Sequence, residues 1–249
     1  MIGGESRVTS HELGDQSRVT SHESRIPAWR RVATALGVIG ATVALHEAAH
    51  AIAAVHGGGR VKEIGVGFGP PVTRFRVRGL PVVVRAFPLG GYAAVDVDEL
   101  PPRKRIRMLL AGPLANIAVG VPLLIGFRRH PAVILGDDRS VGLTGFVGTM
   151  SALSRAAAEG AGAVGRLAGA INVGLGLMNL LPVYPLDGGH VVMGLMEARG
   201  VPRRARTVFA RLTAAIFFLL VQSAMMGDLR RLAGAAEMRK RGNGEPEKQ

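Results

Sequence analysis

Long apolar runs alternate with polar, basic segments along this chain. Four runs approach or exceed the length of a membrane-spanning helix, and they cover residues 32–55, 108–127, 167–183 and 212–227. A helix needs roughly 20 apolar residues to cross the hydrocarbon core of a bilayer, with about 17–25 tolerated. Four such runs in 249 residues, rich in glycine and alanine, predict a polytopic α-helical membrane protein with about four transmembrane helices.

The segment between the first two apolar runs has a different pattern. Short β-branched stretches at 61–66, 73–77 and 82–87 are separated by turns of glycine and proline. This punctuation predicts strands and hairpins, and hence a small β-sheet at the membrane surface after the first helix. The stretch 128–159 is expected to be a loop with a short amphipathic helix, and it is too short for an inserted domain of about 50 residues or more.

The polarity of the ends suggests a division into three parts. We expect a polar N-terminal tail at 1–31, a membrane core at 32–227 and a basic C-terminal tail at 228–249. The first part carries a seven-residue sequence twice, which is too little for a solenoid. It also lacks the apolar stretch of a secretory signal peptide.

The amino-acid composition excludes several kinds of site and partner. The chain has no cysteine, which excludes disulfide frameworks, cysteine zinc sites and cysteine nucleophiles. Its 31 Lys and Arg against 18 Asp and Glu give a net charge of +13. With four spans, the basic residues divide 15 to 16 between the two sides, so the positive-inside rule assigns no orientation. Basic loops beside a membrane account for the charge, and no nucleic-acid partner is predicted.

The strongest chemical signal lies inside the first apolar run, at His46-Glu47-Ala48-Ala49-His50. On a helix, positions i and i+4 share a face, so both imidazoles can reach one metal ion. Glu47, beside the first ligand, can approach a metal-bound water as a general base. Ionisable groups at membrane depth are costly and usually mark function. The less specific interpretation is a buried His–Glu cluster that joins helices.

A catalytic zinc site needs a third protein ligand, and Asp187 is the acid best placed to supply it. It follows the third apolar run, in a segment where Pro182 and Pro185 interrupt a helix and two glycines follow. Irregular backbone at the end of a span is tolerated where it lines a cavity within the protein. An ordinary helix-ending turn is the alternative for this segment.

Together these motifs resemble the site-2 protease family of intramembrane zinc metalloproteases. The resemblance rests on the His-Glu-x-x-His of the first span, followed downstream by Asn179-x-x-Pro182 and Leu186-Asp187-Gly-Gly. Further signatures occur in the family's order, and they are Phe68-Gly69-Pro70, Gly90-Gly91-Tyr92 and Ala111-Gly112-Pro113-x-x-Asn116. The matching region extends from about residue 32 to residue 190.

The resemblance implies a short, core-only member without a PDZ domain. Such a protein would be a zinc-dependent endopeptidase that hydrolyses peptide bonds in or next to transmembrane segments of membrane proteins, as in regulated intramembrane proteolysis. By resemblance, His46, His50 and Asp187 would bind one zinc ion, and Glu47 would activate water. Asn116 and Asn179 would occupy polar positions near the site, where an amide could orient substrate or an oxyanion.

The same resemblance implies a location and partners. The chain would be a multi-pass protein of a bacterial cytoplasmic membrane, with its active site toward the cytosol. Its partners would be the lipid bilayer and a transmembrane substrate. The resemblance does not decide whether a regulatory partner is also needed. The exposed edge of the sheet could hold an unwound substrate as an added strand.

Two other classes of protein remain open on the residues alone. A non-proteolytic membrane zinc transporter or sensor could use the same His and Asp site, although the repeated polar helices of a transporter are missing. A soluble or peripheral zinc protease would require the four apolar runs to form a buried core.

Overall fold

The computed structural model describes residues 26–96, 100–129 and 145–242. Within these ranges the chain forms six helices and two strands. In chain order they are α1 (Ala28–His56), β1 (Val61–Val77), β2 (Leu80–Val95), α2 (Pro102–Gly126), α3 (Phe146–Glu159), α4 (Ala161–Asn179), α5 (Asp187–Ala198) and α6 (Arg203–Gly242). The N-terminal repeat lies outside the described residues.

Four of these helices are long and apolar enough to cross a membrane, which confirms the predicted helical membrane fold. They are α1, α2, α4 and the part of α6 at Arg203–Gly234. Several helix ends differ from the predicted runs, and the third and fourth spans differ most. The third span occupies Ala161–Asn179 and ends before Pro182, since proline interrupts helical hydrogen bonding. The fourth begins at Arg203, because arginine is a good helix former and extends the helix beyond its apolar part.

The stretch predicted as a loop with a short helix contains α3. Its buried residues are Ala152, Leu153, Ala156 and Ala157, a spacing that places them on one side of a helix. Three of them, Ala152, Leu153 and Ala156, pack with Ala35 of α1 and with Ala163 and Leu167 of α4 in one apolar cluster. The short amphipathic helix is therefore confirmed, and it belongs to the core of the bundle.

The spans α2 and α4 approach each other closely at two glycines. A Cβ placed on Gly120 would lie 2.8 Å from the carbonyl oxygen of Gly169, and one on Gly169 would lie 2.9 Å from that of Gly120. Neither position can accept a side chain without separating the helices. Small residues at contacts of this kind are typical of helix packing in membranes, where close van der Waals contact drives association.

The small sheet predicted after the first helix is confirmed, and its two long, bent strands contain the three short stretches that were predicted. Because β1 and β2 both bend, their segments lie in the spatial order 91–95, 61–66, 82–84 and 73–77. Segment 61–66 is antiparallel to 91–95, and 73–77 is antiparallel to 82–84. Positive φ angles at Gly67 and Gly69 allow the bend in β1, since L side chains rarely adopt that conformation. Segment 91–95 therefore forms one edge of the sheet, and this edge is the one nearest the polar side chains of α1.

The last helix is joined to α3 by a buried carboxylate. Asp228 of α6 is 5% exposed, and its Oδ2 accepts hydrogen bonds from the backbone N–H groups of Val147 at 3.0 Å and Gly148 at 3.4 Å. These N–H groups belong to the first turn of α3, where a helix has no internal acceptors for them. The negative charge also complements the positive end of the helix dipole.

Replacing Asp228 with alanine should therefore lower the free energy of unfolding by about 1–2 kcal/mol, the usual value of a helix cap. Thermal unfolding of the purified protein in detergent measures this change. Glu237→Ala is a matched control, because Glu237 is an exposed acid on the same helix. Equal stability of the Asp228→Ala variant and the control would contradict the capping role.

Candidate metal centre

Three donor atoms from two distant parts of the sequence converge on one side of α1. The Nε2 atoms of His46 and His50 lie 3.0 Å apart. Oδ2 of Asp187 lies 3.1 Å from the first and 3.2 Å from the second. Ligands held tetrahedrally about 2.0–2.1 Å from zinc stand about 3.3 Å from one another. The spacing therefore fits one ion, and the structure brings together all three residues predicted as ligands.

The outer nitrogens of both imidazoles are already engaged. Nδ1 of His46 donates to Oδ1 of Asn116 at 2.6 Å, and Nδ1 of His50 donates to the carbonyl oxygen of Met108 at 2.7 Å. A neutral imidazole carries one proton, so a protonated Nδ1 leaves the lone pair on Nε2. Metal-ligating histidines ordinarily hold their second nitrogen in this way. The hydrogen bonding thus presents two Nε2 lone pairs to one point, as a zinc site requires.

Asp187 reaches the two histidines because the chain turns tightly at the start of α5. A Cβ on Gly188 would lie 2.3 Å from the carbonyl oxygen of Leu181, and one on Gly189 would lie 2.4 Å from the backbone nitrogen of Tyr184. Only glycine allows the 180–186 turn to pack so closely on the helix. Burial raises the pKa of Asp187, but the two imidazoles beside the carboxyl group outweigh burial and lower the pKa to about 2. The carboxyl group is therefore ionised at neutral pH, as a metal ligand must be.

Gly112 of α2 leaves room for both imidazole rings. A Cβ at this position would lie 2.4 Å from Nε2 of His50 and 2.9 Å from Cε1 of His46. The rings cannot easily move aside, because both histidines are buried and each is hydrogen-bonded at Nδ1. The glycine of the Ala-Gly-Pro motif is thus explained by contact with the predicted ligands.

Glu47 lies where α1 meets the edge of the sheet. Its side chain is 8% exposed, and a Cβ on Gly91 of β2 would come within 2.8 Å of its Cγ. The absence of a side chain at Gly91 allows the strand to rest directly on this part of the helix. The carboxylate is consequently buried beside His46 and His50 with β2 as its neighbour.

A cavity of about 480 Å³ opens beside these groups. One side is formed by Glu47, His50 and Asp187, and another by segment 91–95 of β2. Its remaining wall includes Arg105, Glu197 and Arg206, an ion-pair cluster in which each arginine lies 3.1–3.3 Å from the Glu197 carboxylate. The hydrogen bond from Arg105 and the charge of Arg206 hold the pKa of Glu197 below its usual value. This cluster joins α2, α5 and α6 at the cavity.

The two asparagines predicted near the site occupy different surroundings. Asn116 is fully buried, and its Nδ2 donates to the carbonyl oxygen of Thr42 and to Oδ1 of Asn172. Because both amide hydrogens are used, its contacts support the orientation of His46 more than direct contact with a substrate. Asn179 donates to the carbonyl oxygen of Leu175 in its own helix and is not among the residues that line the cavity.

Thr42 and Asn172 are polar residues of the site that motif reading missed. Each is 4% exposed, and Nδ2 of Asn172 donates to Oγ1 of Thr42 at 2.9 Å. Neither belongs to a recognised motif. A signal was nevertheless present, because Asn172 is a strongly polar side chain in the middle of an apolar run, where such groups need partners within the protein.

Comparison with known proteins places these features in context. A family model described as peptidase family M50 matches residues 34–221. A candidate zinc metalloprotease of Brucella suis biovar 1 is 33% identical over 157 residues, which are 58% of this chain and 40% of that protein. Zinc metalloprotease Rip1 of Mycolicibacterium smegmatis is 34% identical over 105 residues, which are 34% of this chain and 26% of that protein. The chain thus spans less than half the length of these relatives.

Among solved structures, a site-2 protease from Methanocaldococcus jannaschii is similar to this chain. The two share 18% sequence identity with a TM-score of 0.43. The alignment covers 76% of this chain and 71% of the other.

The contact at Gly112 provides a test of the metal centre that leaves every ligand in place. Gly112→Ala should displace the imidazoles and weaken zinc binding by at least about 10-fold, the effect usual when support for a ligand is lost. Competition with a chromophoric chelator measures the affinity. Gly40→Ala on α1 is the control, because a Cβ there would meet nothing within 4 Å. Unchanged zinc affinity of the folded Gly112→Ala variant would contradict the proposed ion position.

Proposed function

This chain belongs to peptidase family M50, the site-2 proteases, and on that premise we propose that it is a zinc-dependent endopeptidase of the membrane. Its substrates are proposed to be membrane proteins, cleaved in or next to a transmembrane segment. The observation that carries this proposal is the convergence of three donor atoms on one point, with the Glu47 carboxylate buried in the wall of the same cavity.

His46, His50 and Asp187 would hold the ion, and the donor set suits zinc. Two imidazoles and one carboxylate are the protein ligands of many catalytic zinc sites, which keep a further position open. Zinc, when bound, would lower the pKa of a coordinated water to about 7 and polarise the carbonyl of the scissile peptide. The cavity beside Asp187 and His50 provides the space that an open position requires.

Glu47 is proposed as the general base. It follows His46 directly in the helix, so its carboxylate reaches the same cavity without occupying a ligand position. A carboxylate in this place can take a proton from the attacking water and later give it to the leaving amine. Among residues 28–56 it is the one acid, so no neighbouring carboxylate of α1 can take over the role.

The edge of the sheet is proposed to hold the substrate backbone. Segment 91–95 pairs with 61–66 on one side, and its residues Gly91, Tyr92, Ala93 and Val95 line the cavity. A helical substrate hides its carbonyl groups in internal hydrogen bonds, so it must unwind before hydrolysis. An extended peptide could then add to the sheet through main-chain hydrogen bonds, with its scissile bond near Glu47.

The four candidate spans agree with a multi-pass membrane protein. We propose that the membrane is a bacterial cytoplasmic membrane and that the cavity opens toward the cytosol. In this orientation the basic start of α2, residues 103–107, would meet anionic lipid headgroups.

Glu47→Gln tests the assignment of the base. The variant should fold and bind zinc as the unmodified chain does, because the three proposed ligands are unchanged. Cleavage of a membrane-protein substrate in detergent or liposomes should fall by at least about 100-fold. Glu159→Gln, at an exposed acid of α3, should cleave at the normal rate. Normal cleavage by a zinc-loaded Glu47→Gln variant would overturn the assignment.

The same variant can identify substrates. Expressed in the native host, Glu47→Gln should cause membrane proteins that the active protein cleaves to accumulate intact. These proteins would be found by quantitative comparison of membrane fractions from two strains, one that makes the Glu47→Gln variant and one that makes the unmodified protein. If no membrane protein differs between strains under conditions in which the unmodified protein is made, the proposed substrate class would be wrong.

A further inference from the structure

We propose that Thr42 and Asn172 are positioning residues that fix, through Asn116, the tautomer and orientation of His46. This inference rests on the proposed zinc function, and it extends the site to two residues that belong to no motif. The three helices α1, α2 and α4 each contribute one member of the network, and all three side chains are at least 96% buried.

The hydrogen bonds of the two amides form a closed set. Asn116 accepts from Nδ1 of His46 and donates from Nδ2 to the carbonyl oxygen of Thr42 at 3.2 Å and to Oδ1 of Asn172 at 2.8 Å. Asn172 donates from its Nδ2 to Oγ1 of Thr42 and to the carbonyl oxygen of Ala168, both at 2.9 Å. Every N–H of both amides therefore has an acceptor.

Two backbone carbonyls determine the direction of this chain of hydrogen bonds. A carbonyl oxygen can only accept, so the carbonyl of Thr42 requires the Nδ2 end of Asn116, and that of Ala168 requires the Nδ2 end of Asn172. If Asn116 turned over, its oxygen would face the oxygens of Thr42 and Asn172. If Asn172 turned over, its oxygen would face the carbonyl oxygen of Ala168, and its nitrogen would face Nδ2 of Asn116. Asn116 must therefore direct its Oδ1 at His46.

This fixed direction has a consequence for metal binding. Because Asn116 presents an acceptor, Nδ1 of His46 must carry the proton, and Nε2 keeps its lone pair toward Asp187 and His50. His50 reaches the same state differently, since the backbone carbonyl of Met108 holds its Nδ1. A side-chain substitution can therefore weaken the support of His46 while leaving that of His50 intact.

Asn172→Leu should weaken zinc binding by about 10-fold, the low end of the range for residues behind a ligand. Thr42→Val should act in the same direction with a smaller effect, and Thr42→Ser, which keeps the hydroxyl, should restore normal affinity. Affinity is measured on the full chain in detergent by competition with a chromophoric chelator. The visible absorption of the cobalt-substituted protein should shift in Asn172→Leu, because ligand geometry at His46 changes.

Thr34→Val is the matched control for the hydroxyl. It makes the same chemical change on the same helix, at an exposed threonine whose Oγ1 donates only to the carbonyl oxygen of Arg30 in its own helix. It should leave zinc affinity and the cobalt spectrum unchanged. If Asn172→Leu fails to fold, the comparison of Thr42→Val with Thr42→Ser and Thr34→Val decides the question.

A double variant tests whether the effect passes through Asn116. Asn116→Leu alone should weaken zinc binding by about 10–100-fold, and adding Asn172→Leu should weaken it no further, since coupled residues are not additive. Additive losses would overturn the inference, as would unchanged affinity in Asn172→Leu and Thr42→Val when the unmodified chain binds zinc. Failure of the unmodified chain to bind zinc would instead overturn the proposed function, and the inference with it.

Discussion

Polar groups inside an apolar span must find their partners within the protein, and this constraint organises the whole bundle. Helix α1 carries Thr42, His46, Glu47 and His50 within nine positions, at a depth where lipid offers no hydrogen bonds. The partners of Thr42 and the two histidines come from three other helices. Asn116 and the carbonyl of Met108 belong to α2, Asn172 to α4 and Asp187 to α5. The polar side of one helix thus determines which helices surround it.

The metal centre also requires neighbouring backbones to approach each other closely, and this requirement explains the glycines around it. An imidazole can contact three helices at once only if the backbones of those helices lie closer together than side chains normally allow. Gly112 lies against His50, Gly91 against Glu47 and the Gly188-Gly189 pair against the turn that delivers Asp187. Each of these glycines belongs to a motif that also contains a polar residue, which is Asn116, Tyr92 or Asp187. The polar side chain can reach the site only where the backbone beside it packs this closely.

The sequence predicts the ligands better than it predicts their supports. His46 and His50 could be paired because helix periodicity fixes their spacing, and Asp187 stood out as an acid beside helix-breaking prolines. Asn172 and Thr42 could not be assigned, since their roles depend on which face of α4 meets α1. That contact is set by the fit of α2 against α4 at Gly120 and Gly169, a tertiary property with no local pattern. Segment 91–95 was not predicted as a strand, since its pairing with 61–66 is likewise a tertiary contact.

Helix α6 shows how a span is held when it buries little apolar surface. Its membrane window is unburied within the structure, and packing apolar side chains on protein in place of lipid contributes little net stabilisation. Polar contacts at three positions along the helix hold it in place instead. Arg206 pairs with Glu197 at 3.1 Å, Thr213 accepts from the backbone N–H of Tyr184 at 3.1 Å, and Asp228 caps α3. The middle contact holds the 180–186 turn, which precedes Asp187. The position of the last span is therefore linked by hydrogen bonds to the carboxylate that completes the metal centre.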